Sequence, residues 1–451
     1  MMSKPKQNLL EGDLTKPILL LTIPLLLGNL LQQLYNTVDS LIIGNFLGME
    51  AFASTGVSGT LMNLFIFVLN GFCLGASIIF GQLYGAGDRK NYRRAVYTSL
   101  AFGSLVTIAM SALFILLLTP LLHLISTPQA LMSYCRAYLT LILAGLITTY
   151  LYNLFSNILR SVGDTRASLY FLLISVLGNA GMDYVFVGPC HFGIRGAAAA
   201  TVIAQGFSAV CCFFYIRKKY PELLFTKEDM GLHTDLLGRI FRFGSVSALQ
   251  QSSLYFGKLM VQGVVNTCGT SVIAAYTATT RIEAFLNSAG EAGSQATTIA
   301  ISQNYGAGNI HRVRRAFRIC SVIFYSFAAV MSVVMTFAAP FFLQFFLDPG
   351  DTAAMTAGRD YLRIIFIFYV FCYAGYIFAA HSKGIGRISI SFTATTLHLS
   401  IRFLLSYLLV GRLGLAAVAW ASGVGWLCST SFNSIVYYRI YHSGKGKMQE
   451  G

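Results

Sequence analysis

Charge is what this sequence has least of. Only 11% of its 451 residues are charged, where a soluble domain carries about 25%. Just 17 are acidic, 9 are proline and 2 are tryptophan, while 55% are hydrophobic. No stretch is polar enough to read as a separate soluble domain. The nine cysteines form no CxxC pair and no metal-ligand spacing, which excludes a zinc module or a disulfide scaffold. Most sit inside apolar runs as small apolar residues; only Cys190 and Cys268 fall near predicted outer loops, and their pairing is the less favoured reading. No nucleotide-binding loop, HExxH or EF-hand pattern occurs. An enzyme with a nucleophile–base pair or a metal is not visible, and no cofactor is expected.

What is present is a series of long apolar runs. A bilayer core of about 30 Å takes about 20 apolar residues per helix. The runs predict twelve transmembrane helices near 17–43, 52–82, 94–119, 131–157, 168–188, 194–216, 240–265, 272–304, 317–346, 361–381, 388–410 and 414–438. The first follows a polar start without a small-residue cleavage site, and reads as a retained helix rather than a signal peptide. Pro24 inside it predicts a kink.

The net charge of +15 admits a nucleic-acid partner in principle. Its placement argues for a membrane instead, and no nucleic acid is expected. With both termini cytoplasmic, 24 of the 32 Lys and Arg fall at cytoplasmic ends of the spans, as the positive-inside rule requires. The reading is an all-α, multi-pass protein of the cell (inner) membrane, in contact with the lipid bilayer.

The chain also repeats. Gln82–Gly87 (QLYGAG), followed by Arg93-Arg94-Ala95, returns as Gln303–Gly308 (QNYGAG), followed by Arg314-Arg315-Ala316. The same offset of 221 pairs Gly48 with Gly269, Ala53 with Ala274 and Gly193 with Gly414. Two six-helix bundles are predicted, over 1–216 and 239–451 with a short basic tail. A solvated cytoplasmic linker over 217–238 joins them, and a substrate path runs between the halves.

Ionisable groups at membrane depth are functional candidates. Asp39 and Asp183 each lie near the outer end of an outward-running span. Tyr35 and Asn179 stand four residues earlier, on the same helix faces. Tyr138 and Thr201, on inward-running spans, reach a similar level, and Asn153 lies deeper. Removal from water favours the neutral form of a carboxylate, and a second carboxylate alongside favours it further. Such a pair holds a proton near neutral pH or, with amide and hydroxyl oxygens, coordinates Na⁺; both readings stay open, as does a structural role in helix packing. The second half differs. Lys258, Arg281 and Glu283 share a depth, and His398 and Arg402 mirror the spacing of Asn179 and Asp183. A buried ion-pair network is expected there, with Glu291 deeper.

Together these features resemble the multidrug and toxic compound extrusion (MATE) family, over nearly the whole chain. The resemblance rests on Gln33–Asp39 (QLYNTVD) with Gly44 and Gly48, on the two Gly-Ala-Gly loops, on Arg160–Asp164 (RSVGD), and on Gly193 with Gly196-Ala197-Ala198. It implies a V-shaped pair of bundles and an antiporter that exports amphipathic, often cationic, small molecules by alternating access, driven by H⁺ or Na⁺; a monomer is expected. In the DNA-damage-inducible branch, to which the sequence is most similar, coupling is assigned to residues matching Asp39, Asn179 and Asp183, with weaker matches at Tyr138, Asn153 and Thr201 and a helix 1 bend matching Pro24. Another branch uses carboxylates of helices 7 and 10. This chain departs from it, with Lys258 the charged residue deep in helix 7 and Asp360 only at the edge of helix 10. The alternative is a flippase for a lipid-linked substrate from the same broader superfamily, which a cationic cavity lined by Lys258, Arg281 and Arg402 would suit.

Overall fold

The computed structural model describes residues 9–125, 127–231 and 233–442. Over these the chain forms fourteen α-helices and three short 3₁₀ turns. The helices are α1 (Thr15–Leu47), α2 (Met49–Gly85), α3 (Arg89–Leu124), α4 (Gln129–Ala144), α5 (Leu146–Ser161), α6 (Thr165–Val187) and α7 (Gly193–Lys219), then α8 (Thr234–Val265), α9 (Thr270–Gly306), α10 (Ile310–Leu343), α11 (Thr352–Ile367), α12 (Tyr369–Gly384), α13 (Ile388–Leu413) and α14 (Leu415–His442).

Twelve rods result, because α4–α5 and α11–α12 are broken spans bent by 48° and 52°. Eight helices are long and apolar enough to cross a membrane on their own, and the two bent pairs raise this to ten. The other two rods, α8 and α9, have 32 and 37 residues. They are diluted by Gln250, Gln251, Lys258 and Gln262 in one, and by Arg281, Glu283, Glu291 and Gln295 in the other. A span that keeps such residues at membrane depth faces protein or a polar lumen.

The chain divides into two compact units. Among the described residues, one holds 19–248 with two short segments, 9–12 and 306–308; the other holds 249–305 and 309–442 with 13–18. The division between the long segments falls inside α8. In the first unit α2 packs on α3, α4 and α5, and α7 packs on α4, α5 and α6. Its core contains Phe65, Phe80, Tyr92 and Tyr150. In the second unit α14 packs on α11, α12 and α13, and α10 on α11 and α12.

The repeat is visible in the turns. Gly48 and Gly269, Gly87 and Gly308, and Gly193 and Gly414 all have φ between 55° and 92°, a region costly for residues with a Cβ. After the Gly-Ala-Gly loops, Asp88 and Asn309, again 221 apart, each accept the backbone N–H three residues on, at 3.0 Å, and so cap α3 and α10.

The two breaks solve one packing problem in opposite ways. At Gly145, between α4 and α5, a Cβ would lie 2.2 Å from the Val202 side chain of α7. At Phe368, between α11 and α12, the bulky ring sits on the broken span, and the glycine that receives it is Gly423 of α14. Positions 202 and 423 are themselves 221 apart. Pro24 behaves more simply: α1 runs through it as one continuous helix.

The linker is more than a solvated connector. Leu223 and Leu224 are buried, and Phe225 meets Tyr97 of α3 edge-on at 5.3 Å. Asp229, 2% exposed, takes the Arg93 guanidinium at 2.7 Å and the Thr226 N–H and hydroxyl at 3.0 and 2.8 Å. Burial pushes the Asp229 carboxyl up, but these donors outweigh it and hold the group at about 2. Asp164, between α5 and α6, is likewise held below the ordinary carboxylate range. Burial opposes this, and Lys219 at 2.7 Å with the Tyr220 and Tyr215 hydroxyls overcomes it. Among the described residues all nine cysteines are free thiols.

Candidate functional site

Two polar clusters lie within the spans, one in each unit. In the first, α1, α6 and α7 bring Tyr35, Asp39, Asn179, Asp183 and Thr201 together. The Thr201 hydroxyl is the junction. It lies 3.1 Å from the Tyr35 hydroxyl, accepts the Asn179 amide at 3.3 Å and donates to the Ala197 carbonyl at 3.2 Å. Asn179 and Asp183 are 2% and 0% exposed, one turn apart on α6. The Asp39 and Asp183 carboxyl groups are close enough to interact, and Tyr35 and Tyr138 lie within electrostatic reach of both.

The arrangement has more acceptors than donors. Asp39 Oδ1, Asn179 Oδ1 and both Asp183 carboxylate oxygens are buried, with no hydrogen-bond partner among the described residues. Leaving such groups unpaired is costly, and two bare carboxylates side by side out of water cost more. A donor set made only of hard oxygens suits a proton or an alkali cation.

Not every expected residue joins. Tyr138 is buried near the pair, and its hydroxyl points at the Met62 sulfur, 4.0 Å away. The Asn153 amide is engaged within its own helix, donating to the Thr149 carbonyl at 2.9 Å.

The second unit differs from the expected ion-pair network. Lys258 and Arg281 are exposed, and among the described residues neither forms an ion pair. Two residues along α9, Glu283 is 8% exposed and points to the opposite side of the helix from Arg281, because positions i and i+2 lie about 200° apart. Its neighbours are Arg402 of α13 and Tyr361 of α11, with Lys258 of α8 acting on it more weakly. Arg402 reaches the Tyr276 hydroxyl at 3.4 Å, and His398, one turn away, stacks on Trp426 at 5.8 Å. The Tyr369 hydroxyl donates to Asn287 Oδ1 at 3.0 Å. Glu291 is exposed and senses Lys258 and Lys383. Tyr276, Asn287, Tyr361 and Trp426 were not singled out in the sequence. The one hint was that Trp426 is one of two tryptophans, on the span beside His398.

With the geometry in hand, the similarities are informative. A family model described as MatE matches residues 24–185 and 247–427. The probable multidrug resistance protein YpnP of Bacillus subtilis is 26% identical over 433 residues, 95% of this chain and 96% of that protein. The probable multidrug resistance protein NorM of Thermotoga maritima is 25% identical over 459 residues, 98% and 94% of the two chains. Among solved structures, an outward-facing multidrug resistance transporter of the MOP superfamily superposes with a TM-score of 0.89 at 22% identity, covering 98% of each chain; at that identity it speaks to the fold alone.

Proposed function

The chain belongs to the MATE family, and from that premise we propose that it is a secondary antiporter that exports amphipathic, often cationic, compounds in exchange for H⁺ or Na⁺ held between Asp39 and Asp183. The family places it among multi-pass membrane transporters of small molecules, not among enzymes. The observation that carries the coupling proposal is the excess of buried oxygen acceptors around the two carboxylates. A proton or a Na⁺ ion removes one of the pair's two negative charges and uses those acceptors. When it leaves, repulsion between the carboxylates favours a different packing of α1 against α6 and α7. One site with two packings is what alternating access needs. Tyr35, Asn179 and Thr201 position the carboxylates and register their charge state through the shared hydroxyl. No cofactor enters, the working unit is a monomer, and the DNA-damage-inducible branch is the nearest subtype.

The test is efflux of a fluorescent cationic dye from proteoliposomes under imposed pH or Na⁺ gradients, for wild type and Asp39→Asn. Efflux driven by one gradient and lost in the variant supports the antiporter and identifies the ion. Efflux unchanged in the variant contradicts the site. The exposed, unpaired Lys258 and Arg281 favour a second reading, a flippase for an anionic lipid-linked substrate. Failure of folded protein to move any of several dyes, with transfer of such a lipid instead, selects that reading.

A further inference from the structure

A cavity lies in the second unit, outside the polar cluster described above. It has a volume of ≈ 640 Å³ and opens between α10, α12 and α14. One end is cationic and aromatic, with Arg314, Arg318 and Tyr441; the rest is largely apolar, along Phe371, Ala374 and Phe378. The cationic end is cytoplasmic by the distribution of Lys and Arg. Arg314 lies over the Tyr441 ring at 4.4 Å, and Tyr441 is fixed by His381 at 2.8 Å. Arg318 is eight residues into α10, roughly 12 Å along its axis. No carboxylate lines the cavity, and among the described residues neither arginine forms an ion pair.

The first unit shows what such a face requires. The residues 221 positions earlier, Arg93 and Tyr97, lie on the matching face of α3. There the linker fills the place: Leu223 and Leu224 supply apolar surface, Phe225 covers Tyr97, and Asp229 neutralises Arg93. The occupant is thus apolar along its length with an anion at the cytoplasmic end. In the second unit the segment at the same offset is 443–451. It has Gly444, Lys445 and Gly446 where the linker has Leu223, Leu224 and Phe225, and Glu450 where the linker has Asp229, with Lys445 and Lys447 nearby. That composition supplies neither the apolar filling nor a net negative charge. An inner-leaflet lipid supplies both.

We propose that this cavity binds one anionic phospholipid, its phosphate between Arg314 and Arg318 and an acyl chain along Phe371, Ala374 and Phe378. Guanidinium groups pair with phosphate oxygens in a bidentate way, and basic pockets between spans at the cytoplasmic side are suited to such headgroups.

The experiment uses the full chain in mild detergent, titrated with phosphatidylglycerol, phosphatidylcholine or inorganic phosphate. Thermal unfolding and native mass spectrometry follow binding. Phosphatidylglycerol raises the unfolding midpoint and leaves one retained lipid; phosphatidylcholine and phosphate do neither. In Arg314→Gln/Arg318→Gln the apparent affinity for phosphatidylglycerol falls about tenfold or more. Arg314→Lys/Arg318→Lys, which keeps the charge without the bidentate fork, falls between wild type and the Gln variant, and Arg412→Gln at the outer end of α13 retains the affinity, so this graded loss is not a folding defect. Equal binding of phosphatidylcholine, an equal shift with phosphate alone, or an unchanged retained lipid in the Gln variant overturns the proposal. Deletion of 443–451 leaves binding unchanged; tighter lipid binding after the deletion makes the tail the native occupant and overturns it too.

Discussion

The two units carry polar clusters on related scaffolds, and the clusters are built to opposite specifications. In the first, two carboxylates lie close together with tyrosine, asparagine and threonine around them and, among the described residues, no cation of the protein's own acting on them. In the second, one carboxylate, Glu283, sits beside a guanidinium, Arg402. A buried charge needs a counterpart. The second cluster has a guanidinium within electrostatic reach, with no direct ion pair among the described residues, whereas the first is proposed to take its counterpart from outside, and a site that depends on an external ion can be switched by it. The difference is the ground on which we propose coupling in the first unit and a structural polarity in the second.

The comparison breaks most visibly at Asp183. Asp183→Asn lowers gradient-driven efflux about 10- to 100-fold, the size of a lost coupling energy; Glu283→Gln stays within about threefold in the same assay if its cluster is structural. Next in size is Arg402→Gln. It leaves Glu283 beside no guanidinium and lowers stability by about 2 kcal/mol, read from thermal unfolding, and adding Glu283→Gln restores part of the loss. Thr201→Val removes the hydroxyl shared by Tyr35 and Asn179. A loss of about 1 kcal/mol is expected, with a change in the pH or Na⁺ dependence of efflux that a purely structural threonine would not produce.

The smallest effect concerns the linker, docked in the first unit. Asp229→Asn weakens the clamp on Arg93 and speeds limited proteolysis within 220–231. Asp229 is held at about 2 against 3.8 for an ordinary Asp. A lowered value stabilises the folded form above 3.8, and this stabilisation is lost as pH falls through about 2. The cleavage rates of wild type and variant therefore differ above about pH 4 and converge toward pH 2.

Much of this was readable before any coordinates. Apolar run lengths located the spans, the offset of 221 anticipated the paired turns, and helical spacing with span direction placed Asp39, Asp183, Tyr35, Asn179 and Thr201 at one depth. What depended on helix rotation was not readable. Depth alone puts Arg281 and Lys258 as near to Glu283 as Arg402 is; the facing of α9 toward α11 and α13 makes Arg402 the stronger influence, Lys258 a weaker one, and leaves Arg281 out. The breaks at Gly145 and Phe368 depend on residues 202 and 423, far along the chain. The linker reads as polar by composition, yet three apolar residues in it, Leu223 to Phe225, decide where it docks.

The central claim is that the ion is taken up in the first unit and nowhere else. The most direct measurement is substrate-stimulated H⁺ or Na⁺ entry into proteoliposomes, comparing wild type, Asp39→Asn/Asp183→Asn and Glu283→Gln. The account predicts entry in wild type and Glu283→Gln and none in the double variant. Ion entry that survives in the double variant, or disappears in Glu283→Gln while the protein remains folded, would contradict it.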